Sequence, residues 1–218
     1  MMDPVYRTIE ANDWITILIF GSLLFVLLAK SLFYSRFLNF IILPFNNKYI
    51  FMYNKKERLF NWFQILLTIF QIINTSLFIF LFWQIFRGAD GESSPFLYPI
   101  ILTGFFLFII LKIALQLGNG FVFGSYRTIS DLVFKKLSYL NYGGLILFIA
   151  NILLTYIFVD NKSVALVAVF LFFIINLIGW ITVIRNSQKL ITNYFFYFIL
   201  YLCTLEIAPL ILMGSFLK

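Results

Sequence analysis

Six long apolar runs, at about residues 14–29, 59–86, 95–117, 143–159, 164–184 and 190–217, constrain this chain more than any other feature. A helix needs roughly 20 apolar residues to cross a hydrocarbon layer of about 30 Å. Runs of this length and spacing predict an all-α fold, a polytopic membrane helix bundle occupying residues 1–218 as a single transmembrane domain. Composition agrees: 62% of the residues are apolar and only 11% charged, whereas soluble domains carry roughly 25% charge. The polar N-terminal stretch, residues 1–13, lacks a basic start and a small-residue cleavage site, so no removable signal peptide is expected.

Two segments between the runs read as amphipathic helices lying at the membrane surface. Residues 31–45 gather Phe33, Phe37, Phe40 and Ile41 on one side and end near Pro44. Residues 126–142 place Ile129, Leu132, Val133, Leu137 and Leu140 opposite Arg127, Asp131 and Lys135. Asn46 to Arg58 reads as a basic loop, and Gly118, Gly120 and Gly124 as a loosening of the chain after the third run. The first run, of sixteen residues, is slightly short, so either Lys30 snorkels or the helix continues.

The loops after runs one, three and five carry eleven Lys and Arg residues, and the opposite side carries four. The positive-inside bias therefore predicts that those loops are cytoplasmic and both termini lie outside. All four tryptophans, Trp14, Trp62, Trp83 and Trp180, fall at run ends, where amphipathic rings prefer the interface. Because the net positive charge sits at run ends, it points to anionic lipid rather than nucleic acid.

Function is less legible. The chain has no histidine, which removes bis-His haem, His-based metal sites and His-dependent catalytic triads. Neither a metal site nor a cofactor is expected, and the chain reads as a non-enzyme. A single cysteine, Cys203, excludes an intrachain disulfide. Polar residues inside the runs are the remaining signals. Gln64, Thr68, Gln71 and Thr75 recur on one face of the second run, a stripe that should meet other helices or line a watery path. Lys112, Gln116 and Asn119 share a face of the third. Asn151, Thr155 and Asn176 are isolated and should hydrogen-bond between helices.

The sixth run places Glu206 three residues before Pro209. An ionised carboxylate at that depth costs at least ~2.5–3.5 kcal/mol, so a cation, a proton or water must offset it. Pro209 cannot donate to the carbonyl of Leu205 and leaves that acceptor beside the carboxyl group. Glu206 can fasten two helices, meet a basic residue of a partner, or handle a proton; Lys112 is its obvious internal partner, at a mismatched depth.

The stretch Tyr201-Leu202-Cys203-Thr204-Leu205-Glu206-Ile207-Ala208-Pro209-Leu210, with the Phe-rich runs around it, resembles a family of polytopic membrane proteins of the Bacteroidota, domain-of-unknown-function family 4271. The resemblance implies an inner-membrane location and a polytopic fold, and it brings no activity. The resulting expectation is a non-catalytic subunit or assembly factor of an inner-membrane envelope complex, with other membrane subunits as partners. The alternative is a small proton- or ion-coupled transporter or channel using Glu206.

Overall fold

The computed structural model describes residues 13–46, 48–53, 61–87, 96–122 and 126–186. The described residues are helical throughout their regular parts: α1 (Asp13–Leu32), α2 (Tyr34–Ile41), α3 (Lys48–Tyr53), α4 (Trp62–Arg87), α5 (Leu97–Val122), α6 (Tyr126–Ile152) and α7 (Lys162–Asn186). A π-helical turn, Leu153–Ile157, continues α6. Five of these helices are long and apolar enough to cross a membrane. The sixth run, residues 190–217, lies outside the described residues.

Helix α4 is the axis of the bundle. In its apolar window 61% of the residues are buried within the chain, against 11% for α5 and 17% for α7, so the latter two are peripheral. Helices α1, α5 and α6 pack around α4, and α7 packs on α6. Ring contacts set the directions. Trp14 meets Phe80 at 5.3 Å and Phe33 meets Phe63 at 6.0 Å, so α1 and α4 are antiparallel. Phe70 meets Phe148 at 5.5 Å, and hydrogen bonds pair residue 68 with 141 and 74 with 151, so α4 and α6 run parallel.

One end of the bundle consequently collects α2, α3 and the basic residues Lys30, Arg36, Arg127, Lys135, Lys136 and Arg185. The other end holds Trp14, Trp83 and the turn between α6 and α7. Trp62 and Trp180 sit at the basic end. Along α4, Trp62 and Trp83 stand about 31 Å apart at ~1.5 Å per residue, the thickness of a hydrocarbon layer. Two aromatic belts at that spacing fit interfacial anchoring.

Two apolar cores follow. Toward the first end, Ile15, Ile19, Leu77, Phe80, Leu147 and Ala165 cluster. Toward the basic end, Phe37, Phe40, Tyr49, Phe63, Leu67 and Phe134 do. The turn between α6 and α7 is local chemistry. Asp160 adopts a left-handed φ of 57°, which aspartate tolerates better than most residues. Asn161 Oδ1 then caps α7 by accepting from the Ser163 and Val164 amides at 2.9 and 3.3 Å.

Several boundaries differ from the sequence expectation. Residues 126–142 are not a separate surface helix: they form one helix with residues 143–152, because Gly143 and Gly144 sit inside α6 at close helix contacts and do not break it. The apolar stripe of 126–142 packs against neighbouring helices instead of lipid headgroups. Helix α5 runs through Gly118 and Gly120 to Val122 without loosening. Helix α1 continues to Leu32, reaching 20 residues and about 30 Å, which removes its shortfall. The loop of residues 46–58 contains the short helix α3.

Candidate functional site

Polar side chains concentrate along the α4–α6 contact. Gln64, Gln71, Asn74, Thr75 and Ser76 of α4 and Ser138, Asn141 and Asn151 of α6 are buried, most of them at 0 or 1% exposure. The stripe read from the sequence thus faces other helices. Its bonds show how it fastens them. Thr68 Oγ1 accepts from Asn141 Nδ2 at 3.2 Å while donating to the Gln64 carbonyl at 2.8 Å. Two turns further on, Asn151 Nδ2 donates to the Asn74 backbone carbonyl at 3.0 Å. Tyr49 of α3 donates its hydroxyl to Gln64 Oε1 at 3.4 Å, tying the basic-end cap to the seam. Gln71 instead donates to Thr75 Oγ1 within α4, at 3.0 Å.

Between these bonds the helices nearly touch. A Cβ on Gly144 would lie 3.0 Å from the Gln71 Cα, so the absence of a side chain there lets α6 come this close to the α4 backbone. Several buried polar atoms along the seam have no hydrogen-bond partner among the described residues: Gln64 Nε2, Gln71 Oε1, Asn141 Oδ1, Asn151 Oδ1 and Thr155 Oγ1. Thr155 lies in the π-helical turn, and its hydroxyl makes no interhelical bond among the described residues. Asn176 also departs from expectation, donating to the Phe172 carbonyl of its own helix at 2.8 Å. Asn151 behaves as expected.

The second polar group lies where α5 and α7 flank α6. A cavity of about 170 Å³ is lined by Lys112 and Gln116 of α5, Lys136 and Tyr139 of α6, and Trp180 of α7, with Phe105 and Phe108 among its apolar walls. Gly179 allows the α6–α7 approach: a Cβ there would fall 2.6 Å from Tyr139 Cγ. Lys136 Nζ stands 4.6 Å from the Trp180 ring centre and Lys112 Nζ 6.0 Å from that of Phe108. Gln116 is 3% exposed and its Nε2 lacks an acceptor among the described residues. Asn119, on the same face, is half-buried. Glu206 and Pro209 lie outside the described residues, as does the proposed Lys112–Glu206 pair.

Several residues escape the sequence reading. Arg36, within the 31–45 segment expected to lie as a helix at the membrane surface, is 3% exposed inside the basic-end core. Its guanidinium carbon stands 4.8 Å from the Tyr53 ring centre, 4.9 Å from that of Phe63 and 5.9 Å from that of Tyr49. The available signal was the density of aromatic residues after it, since guanidinium groups stack on such rings. Asn74 and Asn141 were also missed, although Asn74 follows Gln71 by one helical turn.

A bundle of long apolar helices, tied by buried amides and bounded by tryptophan belts, defines a multi-pass helical membrane protein. The family model described as a domain of unknown function, DUF4271, matches residues 15–217, and the chain belongs to that family. Neither a curated protein nor a solved structure matches it. Among the described residues no group of three or more His, Cys, Asp or Glu side chains is placed to hold a metal ion.

Proposed function

We propose that the chain is a non-catalytic integral subunit or assembly factor of a bacterial inner-membrane complex, its basic end cytoplasmic and both termini periplasmic. The observation that carries this reading is the use made of the seam. Its amides and hydroxyls bridge α3, α4 and α6, and Gly144 lies directly against the α4 backbone, leaving no gap between the two helices there. Such a seam builds a rigid support. Helices α5 and α7, little buried within the chain, leave broad apolar faces for lipid and neighbouring subunits. The test is purification of the tagged protein from its native membrane in mild detergent, followed by mass spectrometry. Stoichiometric membrane partners are expected; a clean monomer or homo-oligomer overturns the reading. A reporter fused after Lys218 should be active only on the outer side of the membrane.

A proton- or ion-coupled transporter is the second reading, and the unpartnered polar atoms favour it. From Asn141 to Thr155 they extend about 21 Å along α6, and buried polar atoms of this kind recruit ordered water. The π-helical turn at Thr155 adds to it, since such turns recur at functional sites. Glu206 would be the titrating group. Under this reading Glu206→Gln abolishes flux in liposomes while protein abundance holds. Under the subunit reading that isosteric change is mild, and Glu206→Leu lowers abundance or releases a partner.

A further inference from the structure

We propose that the groove between α5 and α7 binds one anionic phospholipid, with its phosphate held by Lys112, Gln116 and Lys136 and an acyl chain laid against Phe105 and Phe108. The inference concerns a ligand site and does not depend on whether the protein is a subunit or a transporter.

The depth of each residue supports it. Tyr98, whose ring is 5.4 Å from that of Trp14, marks one aromatic belt on α5. Lys112 lies about 21 Å further along the helix, so its Cα sits about 10 Å inside the belt at the basic end. Gln116 is about 6 Å nearer that belt, one turn on. Trp180, under Lys136, marks the belt itself. The polar groups of the groove therefore rise from within the hydrocarbon to its boundary, the level at which a lipid phosphate meets its acyl chains. Phe105 and Phe108 lie deeper, where a chain would run.

Chemistry selects the headgroup. Gln116 Nε2 is a donor in a residue 97% removed from solvent, and it has no acceptor among the described residues. Lys112 has no acidic partner among the described residues, and a cation below the interface is costly unless an anion or water meets it. Its flexible four-carbon stem lets the ammonium swing along the groove. Lys136 adds a second positive charge at the rim. Two lysines and an amide donor favour a phosphodiester with net negative charge over a zwitterionic headgroup. The cavity, at about 170 Å³, holds only a headgroup and the start of a chain, so the rest of the lipid remains in the bilayer.

The test uses the full chain in mild detergent, incubated with phosphatidylglycerol or phosphatidylcholine and read by native mass spectrometry. Retained phosphatidylglycerol is expected to exceed phosphatidylcholine. Lys112→Gln should weaken it about fivefold, the effect of one lysine near a membrane surface. Gln116→Leu should weaken it too, and Lys162→Gln, at the opposite end, should leave it unchanged. Each variant is checked for a monodisperse elution profile, and Lys112, being only half-buried, tolerates substitution. Three results overturn the proposal: equal retention of the two lipids, undiminished phosphatidylglycerol on Lys112→Gln, or displacement of the lipid by millimolar inorganic phosphate, which would assign the site to a free phosphate compound.

Discussion

The α4–α6 seam and the α5–α7 groove are built from the same kinds of side chain and put them to opposite uses. Both contain amides, and both lie against α6. In the seam, amides and hydroxyls meet one another across a contact so close that a Cβ at position 144 would press on the Gln71 backbone. In the groove, Lys112 and Gln116 face a cavity, and the helices beside it are the least buried of the long helices among the described residues. Polar groups between tightly apposed helices act as fasteners, because lipid offers them no alternative partner. The same groups facing an open cleft at the interface keep their capacity for an outside ligand. Sequence type alone does not separate the two roles; distance to the next backbone does.

This contrast predicts a graded set of stability effects. The largest belongs to Gly144→Leu, which drives a branched side chain into the Gln71 backbone. Overpacking typically costs about 1–3 kcal/mol, and a clash with backbone belongs at or above the top of that range, so the variant should fail to accumulate as a monodisperse protein. Arg36→Leu comes next. It removes a cation enclosed by Tyr49, Tyr53 and Phe63, at ~2 kcal/mol, and should lower the Tm of the purified protein by several degrees. Asn151→Leu deletes the bond to the Asn74 carbonyl and should cost about 1 kcal/mol, visible as a smaller loss in Tm. Lys112→Gln should leave stability within about 0.5 kcal/mol of wild type, with little change in Tm, because it breaks no hydrogen bond or ion pair among the described residues. A Lys112→Gln variant as unstable as Asn151→Leu would erase the distinction between seam and groove.

Much of the architecture was legible in advance, and the reasons are local. Apolar runs long enough to cross a bilayer mark α1, α4, α5 and α7 to within a few residues, since lipid demands length and hydrophobicity whatever the neighbours are. The inward stripe Gln64, Thr68, Gln71, Thr75 could be placed because polar groups cannot face hydrocarbon. The helix over residues 126–142 was misassigned for an equally physical reason. An apolar stripe opposite charges looks the same whether it rests on a membrane surface or on α5 and α7.

What the amino-acid sequence determined by itself, then, is the class of protein, its apolar helices, the collection of basic residues at one end and the two tryptophan levels. Each follows from the free energy of a single side chain or segment in lipid against water. Only the tertiary structure decided that α6 is continuous, that Arg36 lies inside an aromatic core, that Asn141 and Asn151 meet Thr68 and Asn74, and that Lys112, Gln116 and Lys136 share a groove. Those outcomes depend on which helices come within a few ångströms of each other. Small residues such as Gly144 and Gly179 permit that approach, and its energy is set by pairs of residues far apart in the chain.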